Sequence, residues 1–348
     1  ERITADATVV ATGTRPIVPA SWRELGRRVL TSDDLFEQPD LARRVAVVGL
    51  GGIGTELGQA LADLGLEVHG YTQSEGIAGI GDPAVNAAML TSLRRNMTVS
   101  TDVTVDLEAA GENAVQVNAG GESRQVDWVL AALGRRPNLD GLGLENLGLE
   151  LDERGMPPMD PQTLQLGDMP IYIAGDVNGQ RPLMHEAADE GRIAAYHALN
   201  PDAECLARRA PLAIVFTRPN AARVGLGYPD LPADSYLVGE ADFSRQPRAL
   251  MNGENEGCLR VYVETETGRL LGAEMAVPQG EHLAHLLAWS IQQGMDVDTL
   301  LQMPYYHPVV EEGLRTALQG ARRQMGERRS LPDLPLCGEA AAWALGGD

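Results

Sequence analysis

The stretch that most constrains this chain is RRVAVVGLGGIGTE, from Arg43 to Glu56. Residues 45–48 form a short apolar run of the kind that becomes a buried parallel strand. Gly49, Gly51 and Gly54 follow in the pattern G-x-G-x-x-G, with Gly52 between them. The first glycine of such a turn permits a tight bend. The second lets backbone approach a pyrophosphate, and the third lets the next helix pack close to its strand. Leu57, Ala60, Leu61 and Leu64 keep helical spacing, Gly65 ends the helix, and residues 67–71 read as a second strand. Strand, glycine turn, helix and strand in that order specify a dinucleotide-binding unit, with the helix N-terminus placed for phosphate.

The position about 20 residues past the glycines decides which dinucleotide fits. It is Thr72, followed by Gln73, Ser74 and Glu75. A 2′-phosphate would need a positive partner, and there is no arginine here. The pattern favours NAD over NADP, read either by Glu75 reaching back or by neutral hydrogen bonds.

The 348 residues carry a formal net charge of -21, and all 28 basic residues are arginine. So negative a field argues against nucleic acid or an anionic membrane as partner. No apolar run reaches membrane-spanning length, and no secretory leader is visible at Glu1. Cys205, Cys258 and Cys337 are too scattered for a C-x-x-C pair or a metal-ligand set, as expected of plain thiols in a cytoplasmic protein.

Four further segments carry polar motifs. Residues 7–11 read as a buried strand, leading into Thr12-Gly13-Thr14-Arg15-Pro16. Residues 129–138 are an apolar strand ending in Gly134-Arg135-Arg136-Pro137-Asn138. Residues 170–177 are another, ending in Gly175-Asp176, with Pro182-Leu183-Met184-His185 close behind and a helix from 188 to 199. Residues 303–315 contain His307-Pro308 and then Glu311-Glu312, which reads as a helix start with His307 near the N-cap. Asp82-Pro83 opens another helix, to about residue 96, and strands are expected at 100–107, 114–118 and 123–131. Further strands are expected at 213–219, 257–263 and 270–275, and a helix at 281–293.

In this order the motifs resemble those of the flavoprotein pyridine-nucleotide–disulfide oxidoreductases, over about residues 1–320. The resemblance implies an α/β protein with two Rossmann-like nucleotide-binding domains, the flavin one incomplete, and an α+β dimerisation domain. Its parts would be residues 1–30 (end of the first half of the FAD domain), 31–137 (NAD(P) domain), 138–205 (return to the FAD domain), 206–320 (dimerisation) and 321–348 (a tail).

The resemblance implies FAD contacts at Thr12, Gly13, Thr14, Asp176, Pro182, Leu183, Met184 and His185. It implies NAD(P) contacts at Gly49, Gly51, Gly52, Gly54, Glu56, Thr72, Val103 and Gly134. Glu56 would point at the nicotinamide end, where members pair it with a lysine that this chain lacks. His307 would be the acid–base for a substrate thiol and Glu312 would hold its ring, so the carboxylate raises the imidazole's basicity. Tyr305 stands where several members have a second histidine, and Met184 where alanine is usual.

The implied enzyme is of the dihydrolipoyl dehydrogenase type. It is a homodimer using FAD and NAD on a small or lipoyl-domain dithiol, with a 2-oxo acid dehydrogenase complex as possible setting. Alternatives are a soluble transhydrogenase, another disulfide reductase, or a non-catalytic nucleotide-binding dimerisation module. The chain shows neither the family's first glycine fingerprint nor its C-x-x-x-x-C pair, so it looks like the C-terminal two-thirds of such an enzyme and is expected to be inactive as written. The C-terminal cysteine pair of mercuric reductases is also missing.

Overall fold

The computed structural model describes residues 3–111, 113–326 and 333–334. Cys337 and most of the expected tail lie outside them. The described residues form two compact units: one from residues 3–24, 31–37 and 131–209, the other from the described residues of 25–30, 38–130 and 210–326. No helix among them is long and apolar enough to cross a membrane.

The larger unit contains the dinucleotide-binding fold. Its five-stranded sheet has the spatial order Val29–Leu30, Trp128–Ala131, Arg44–Val48, Glu67–Tyr71, Thr98–Ser100. Arg44–Val48 pairs in parallel with Glu67–Tyr71, and that strand with Thr98–Ser100. Val45, Ala46 and Val47 are at most 1% exposed, as a strand covered on both faces must be. The fingerprint helix spans Gly52–Asp63, and Gly65 follows at a φ of 91°.

Two expected strands prove to be composite. The run at 100–107 divides into Thr98–Ser100, in the parallel sheet, and Val105–Ala109, in a three-stranded antiparallel sheet with Val115–Ala119 and Glu122–Val126. Between them Asp102 adopts a positive φ of 57°, which turns the chain from one sheet to the other. The run at 123–131 breaks at Asp127. Its carboxylate accepts from the Arg44 N–H at 2.9 Å and from the Arg44 guanidinium, which holds that carboxyl below its ordinary range.

The same unit contains an antiparallel sheet of order Leu212–Val215, Asn220–Gly225, Leu270–Val277, Cys258–Glu264, Tyr236–Asp242. Sequence reading missed the second and the last of these. The helices Gly280–Gln292 and Glu312–Gln324 cover one face, burying Leu283, Leu287, Leu314 and Leu318 against Leu259, Val261, Met275 and Val277. A Cβ at Gly239 would overlap the Ala317 carbonyl oxygen, so the helix Glu312–Gln324 lies directly on that strand. The expected strand at 213–219 stops at Val215, because the N–H groups of Phe216 and Arg218 turn aside to Glu56 and Gln59.

In the smaller unit Thr8–Val10 pairs in parallel with Ile171–Ile173, and Thr14–Pro16 pairs antiparallel with Arg135–Pro137. The strand expected to be buried at 7–11 is not: Thr8 is exposed and Val9 is 43% exposed. Among the described residues it is hydrogen-bonded to a neighbour on one edge only.

Candidate functional site

The glycine turn is built for close approach. Gly49 has a φ of 94° and its N–H donates to the Tyr71 carbonyl at 2.8 Å, which ties the turn to the neighbouring strand. Gly51 is the helix N-cap in extended geometry. A Cβ there would meet nothing within 4 Å, so the backbone faces open space where a diphosphate could come in. Gly52 opens the helix with Val215 behind it, Gly54 is buried in its first turn, and Thr55 Oγ1 donates to the Leu50 carbonyl at 2.9 Å. These residues fit a dinucleotide.

Glu56 is half-buried, and its Oε1 accepts from the Phe216 N–H at 2.6 Å. Beside it the buried Gln59 accepts from the Arg218 N–H at 2.7 Å and donates to the Arg218 carbonyl at 2.8 Å. Sequence reading missed this strap, since nothing local ties residue 56 to residue 216. Thr72 is buried at the end of its strand. Its Oγ1 accepts from the Ser74 N–H at 3.2 Å, and its carbonyl accepts from the Val103 N–H at 3.0 Å. Gly134, with a φ of 97°, belongs to the smaller unit, where its carbonyl accepts from the Ile17 N–H.

The flavin-type residues all lie in that smaller unit. Thr12 and Gly13 bind Asn138: Thr12 Oγ1 donates to its carbonyl at 2.7 Å, and the Asn138 N–H donates to Gly13. Thr14 accepts from Arg135 through both its hydroxyl and its carbonyl. The Thr12-Gly13-Thr14 turn and the Gly134–Asn138 segment therefore brace each other. Asp176 begins a short helical turn after Gly175, and its carboxylate makes no hydrogen bond or ion pair with the described residues. The helix expected from 188 begins four residues earlier, as Met184–Leu199 with Leu183 as N-cap. Pro182, Met184 and His185 are exposed at that end. An open helix N-terminus beside an uncommitted carboxylate suits a cofactor bearing both hydroxyls and an electron-poor ring.

Behind this edge sits a group that sequence reading did not weigh. Glu190 is fully buried, accepts from the Gly175 N–H at 2.7 Å and from Asn178 Nδ2 at 2.6 Å, and pairs with Arg208. Glu186 pairs with Arg181 and Arg208. The signal was the i, i+4 spacing of two glutamates on one helix face.

His307 is placed differently from expectation. The helix starts at Glu312, not at His307, and Glu311 is its N-cap. The reason lies in the bonds: Glu312 folds back, its Oε2 accepting from the Val309 N–H at 3.2 Å. Its two oxygens lie 3.0 and 3.1 Å from His307 Nδ1. With Nδ1–H donating to the carboxylate, Nε2 is left as an outward acceptor on a side chain 71% exposed. Burial pushes the Glu312 carboxyl up. The bonds from His307 and Val309 outweigh it, and the net pKa lies below the usual 4.5. A carboxyl lowered by folding contributes stability above that ordinary value and loses it as pH falls through the folded one. In urea unfolding from pH 7 to pH 3, wild type should therefore exceed Glu312→Gln at neutral pH and converge with it in acid. Tyr305 donates to the Leu300 carbonyl at 3.2 Å, and burial pushes its hydroxyl up to about 12. Cys258 is also buried, its thiol pushed up to about 12, which suits packing better than thiolate chemistry.

Comparison with known proteins agrees with this organisation. A family model described as pyridine nucleotide-disulphide oxidoreductase matches residues 1–191, and that of the corresponding dimerisation domain matches 211–318. Dihydrolipoyl dehydrogenase 3 of Pseudomonas aeruginosa is 31% identical, over 89% of this chain and 68% of its own. Mercuric reductase of Staphylococcus aureus is 30% identical, over 91% of this chain and 59% of its own. The crystal structure of LpdA from Mycobacterium tuberculosis superposes with a TM-score of 0.80 at 28% identity, covering 92% of this chain and 70% of that one. The chain thus spans about two-thirds of the length of these relatives.

Proposed function

The chain belongs to the pyridine nucleotide-disulphide oxidoreductase family, and on that premise we propose that it serves dithiol oxidation coupled to NAD reduction, as in dihydrolipoyl dehydrogenases. The observation that carries this reading is the His307–Glu312 pair, a histidine fixed through Nδ1 with Nε2 open. A dithiol oxidised to a disulfide gives up two electrons and two protons. NAD takes the electron pair and one proton as hydride, and the other proton must leave a thiol for a base. His307 Nε2 would accept it, and Glu312 would stabilise the resulting imidazolium. Bound FAD would relay the electron pair between the sulfur and nicotinamide sides. Asp176 and the segment 182–185 would hold that cofactor's sugar chain and ring edge, with Thr12, Gly13 and Thr14 shaping the turn beside it.

On the coenzyme side, Gly49, Gly51, Gly52 and Gly54 would receive the pyrophosphate and Thr72 the ribose. Val103 would line the adenine side, and Glu56 the nicotinamide end. The setting implied is a cytoplasmic homodimer acting on a lipoyl-type dithiol. Hydride exchange between nucleotides would need no thiol base, so His307 and Glu312 favour the dithiol reading over a transhydrogenase. The test is to assay the purified, flavin-bearing full-length enzyme, with its redox cysteine pair, for NAD reduction by dihydrolipoamide and for hydride exchange between NADH and an NADP analogue. Turnover of the dithiol supports the proposal. Exchange alone would leave His307 without its proposed task and sink it.

A further inference from the structure

The loop that would read the adenosine ribose is anchored from outside itself. Residues 72–77 leave the strand Glu67–Tyr71 in a tight loop shaped by its own hydroxyls. Thr72 Oγ1 accepts from the Ser74 N–H, and Ser74 Oγ accepts from the Gly76 N–H at 3.1 Å. The anchor is Asn86, on the helix Pro83–Leu93. Its Nδ2 donates to the Glu75 carbonyl at 3.0 Å and its Oδ1 accepts from the Ile77 N–H at 3.1 Å. One amide thus brackets Gly76, where a Cβ would lie 2.7 Å from the Ile80 carbonyl oxygen. The helix is fixed in turn at its N-cap. Asp82 accepts from the N–H groups of Ala84 and Val85, while Glu274 of the antiparallel sheet accepts from those of Gly81 and Asp82. The loop's position is therefore set by the helix and, behind it, by the sheet. Its one charged side chain is Glu75, which is exposed. A free ribose hydroxyl can donate to that carboxylate, whereas a 2′-phosphate would meet it with no cation on the loop.

We propose that Asn86 is a positioning residue for coenzyme selection. It holds residues 72–77 so that Thr72 and Glu75 accept the ribose hydroxyls of an unphosphorylated dinucleotide and disfavour its 2′-phosphorylated counterpart. This rests on the coenzyme side of the function proposed above. The test is a fluorescence titration of the purified chain with NADH, with 5′-AMP and adenosine 2′,5′-bisphosphate as competitors. Wild type should bind NADH and prefer 5′-AMP to the bisphosphate. Asn86→Ala should weaken NADH and 5′-AMP by about three- to tenfold, the scale of one or two net hydrogen bonds. It should weaken the bisphosphate less, so the preference narrows. A general structural defect would weaken both competitors alike, and that result, or an unchanged preference, overturns the proposal. Glu75→Arg changes only an exposed side chain, and should turn the preference toward the bisphosphate. If it does not, the loop does not read the ribose and the proposal fails even where Asn86→Ala does not fold. Wild type binding NADH beside an indifferent Asn86→Ala would sink this inference alone. Wild type without NADH binding would sink it together with the coenzyme reading.

Discussion

Replacing Glu274 by alanine should cost this protein on the order of 3–5 kcal/mol of stability, because it strips three backbone N–H donors of their shared acceptor. Glu274 is 0% exposed on the strand Leu270–Val277, and among the described residues no cation is a hydrogen-bond partner of it. Its carboxylate is satisfied by backbone: the N–H groups of Gly81, Asp82 and Tyr228 donate to it at 2.8, 2.7 and 2.8 Å. Alanine would leave three donors without their acceptor, that of Asp82 buried and those of Gly81 and Tyr228 partly so, at about 1–3 kcal/mol for each donor that water does not reach. The neighbouring Asp82, also 0% exposed, would remain held by Arg260 at 3.3 Å and by the Tyr262 hydroxyl at 3.0 Å. The damage should therefore centre on residues 81–82 and 228. Packing leaves little room for readjustment, since a Cβ at Gly81 would sit 2.6 Å from Pro229 Cδ. Glu274→Gln keeps one acceptor oxygen but turns an amide NH2 toward backbone donors, so it should fall between alanine and wild type. Urea unfolding of the three proteins checks the order. An alanine variant within 1 kcal/mol of wild type would mean that water or a backbone shift satisfies those donors.

Glu274 also shows where sequence reading stops. The glycine turn was legible because its requirements are local: backbone conformation at Gly49 and Gly51, apolar spacing along one strand and one helix. The Asp82 cap was legible for the same reason, and its side chain does accept from Ala84 and Val85. That Asp82 also meets Arg260, Tyr262 and Glu274 was not, because those partners lie some 180 residues away. One cue existed, a lone acid inside the apolar run LLGAEMAV, a position that only a buried partner could make tolerable. The strands Asn220–Gly225 and Tyr236–Asp242 were missed because small residues and buried alanines blur the period-two pattern. His307 and Glu312 were legible as a pair through the motif. Their geometry was not, because a helix start placed at His307 would have sent the ring along the helix rather than back onto its sixth residue.

That pair gives the largest kinetic effect expected. In protein that turns over a dithiol, His307→Gln should lower the rate by about 10²–10⁴, the usual contribution of a positioned acid–base group. NADH binding should be unchanged, because the ring's recorded partner is Glu312 and not the glycine turn. Glutamine fills a similar volume and can still donate to Glu312, but it cannot take up a proton. Glu312→Gln should have a smaller effect. The neutral amide gives the imidazolium no counter-charge but can still hold the ring through its oxygen. The bond to the Val309 N–H can survive through the amide oxygen, which keeps the backbone turn in place. Because Glu312 acts only through His307, the two losses cannot add. The double variant should be no slower than His307→Gln alone, and the coupling energy from the cycle should equal nearly the whole effect of Glu312→Gln. Additive losses would mean that Glu312 has a task independent of the imidazole. An unimpaired His307→Gln would mean that the thiol proton leaves by another route, and the dithiol reading would lose the observation on which it stands.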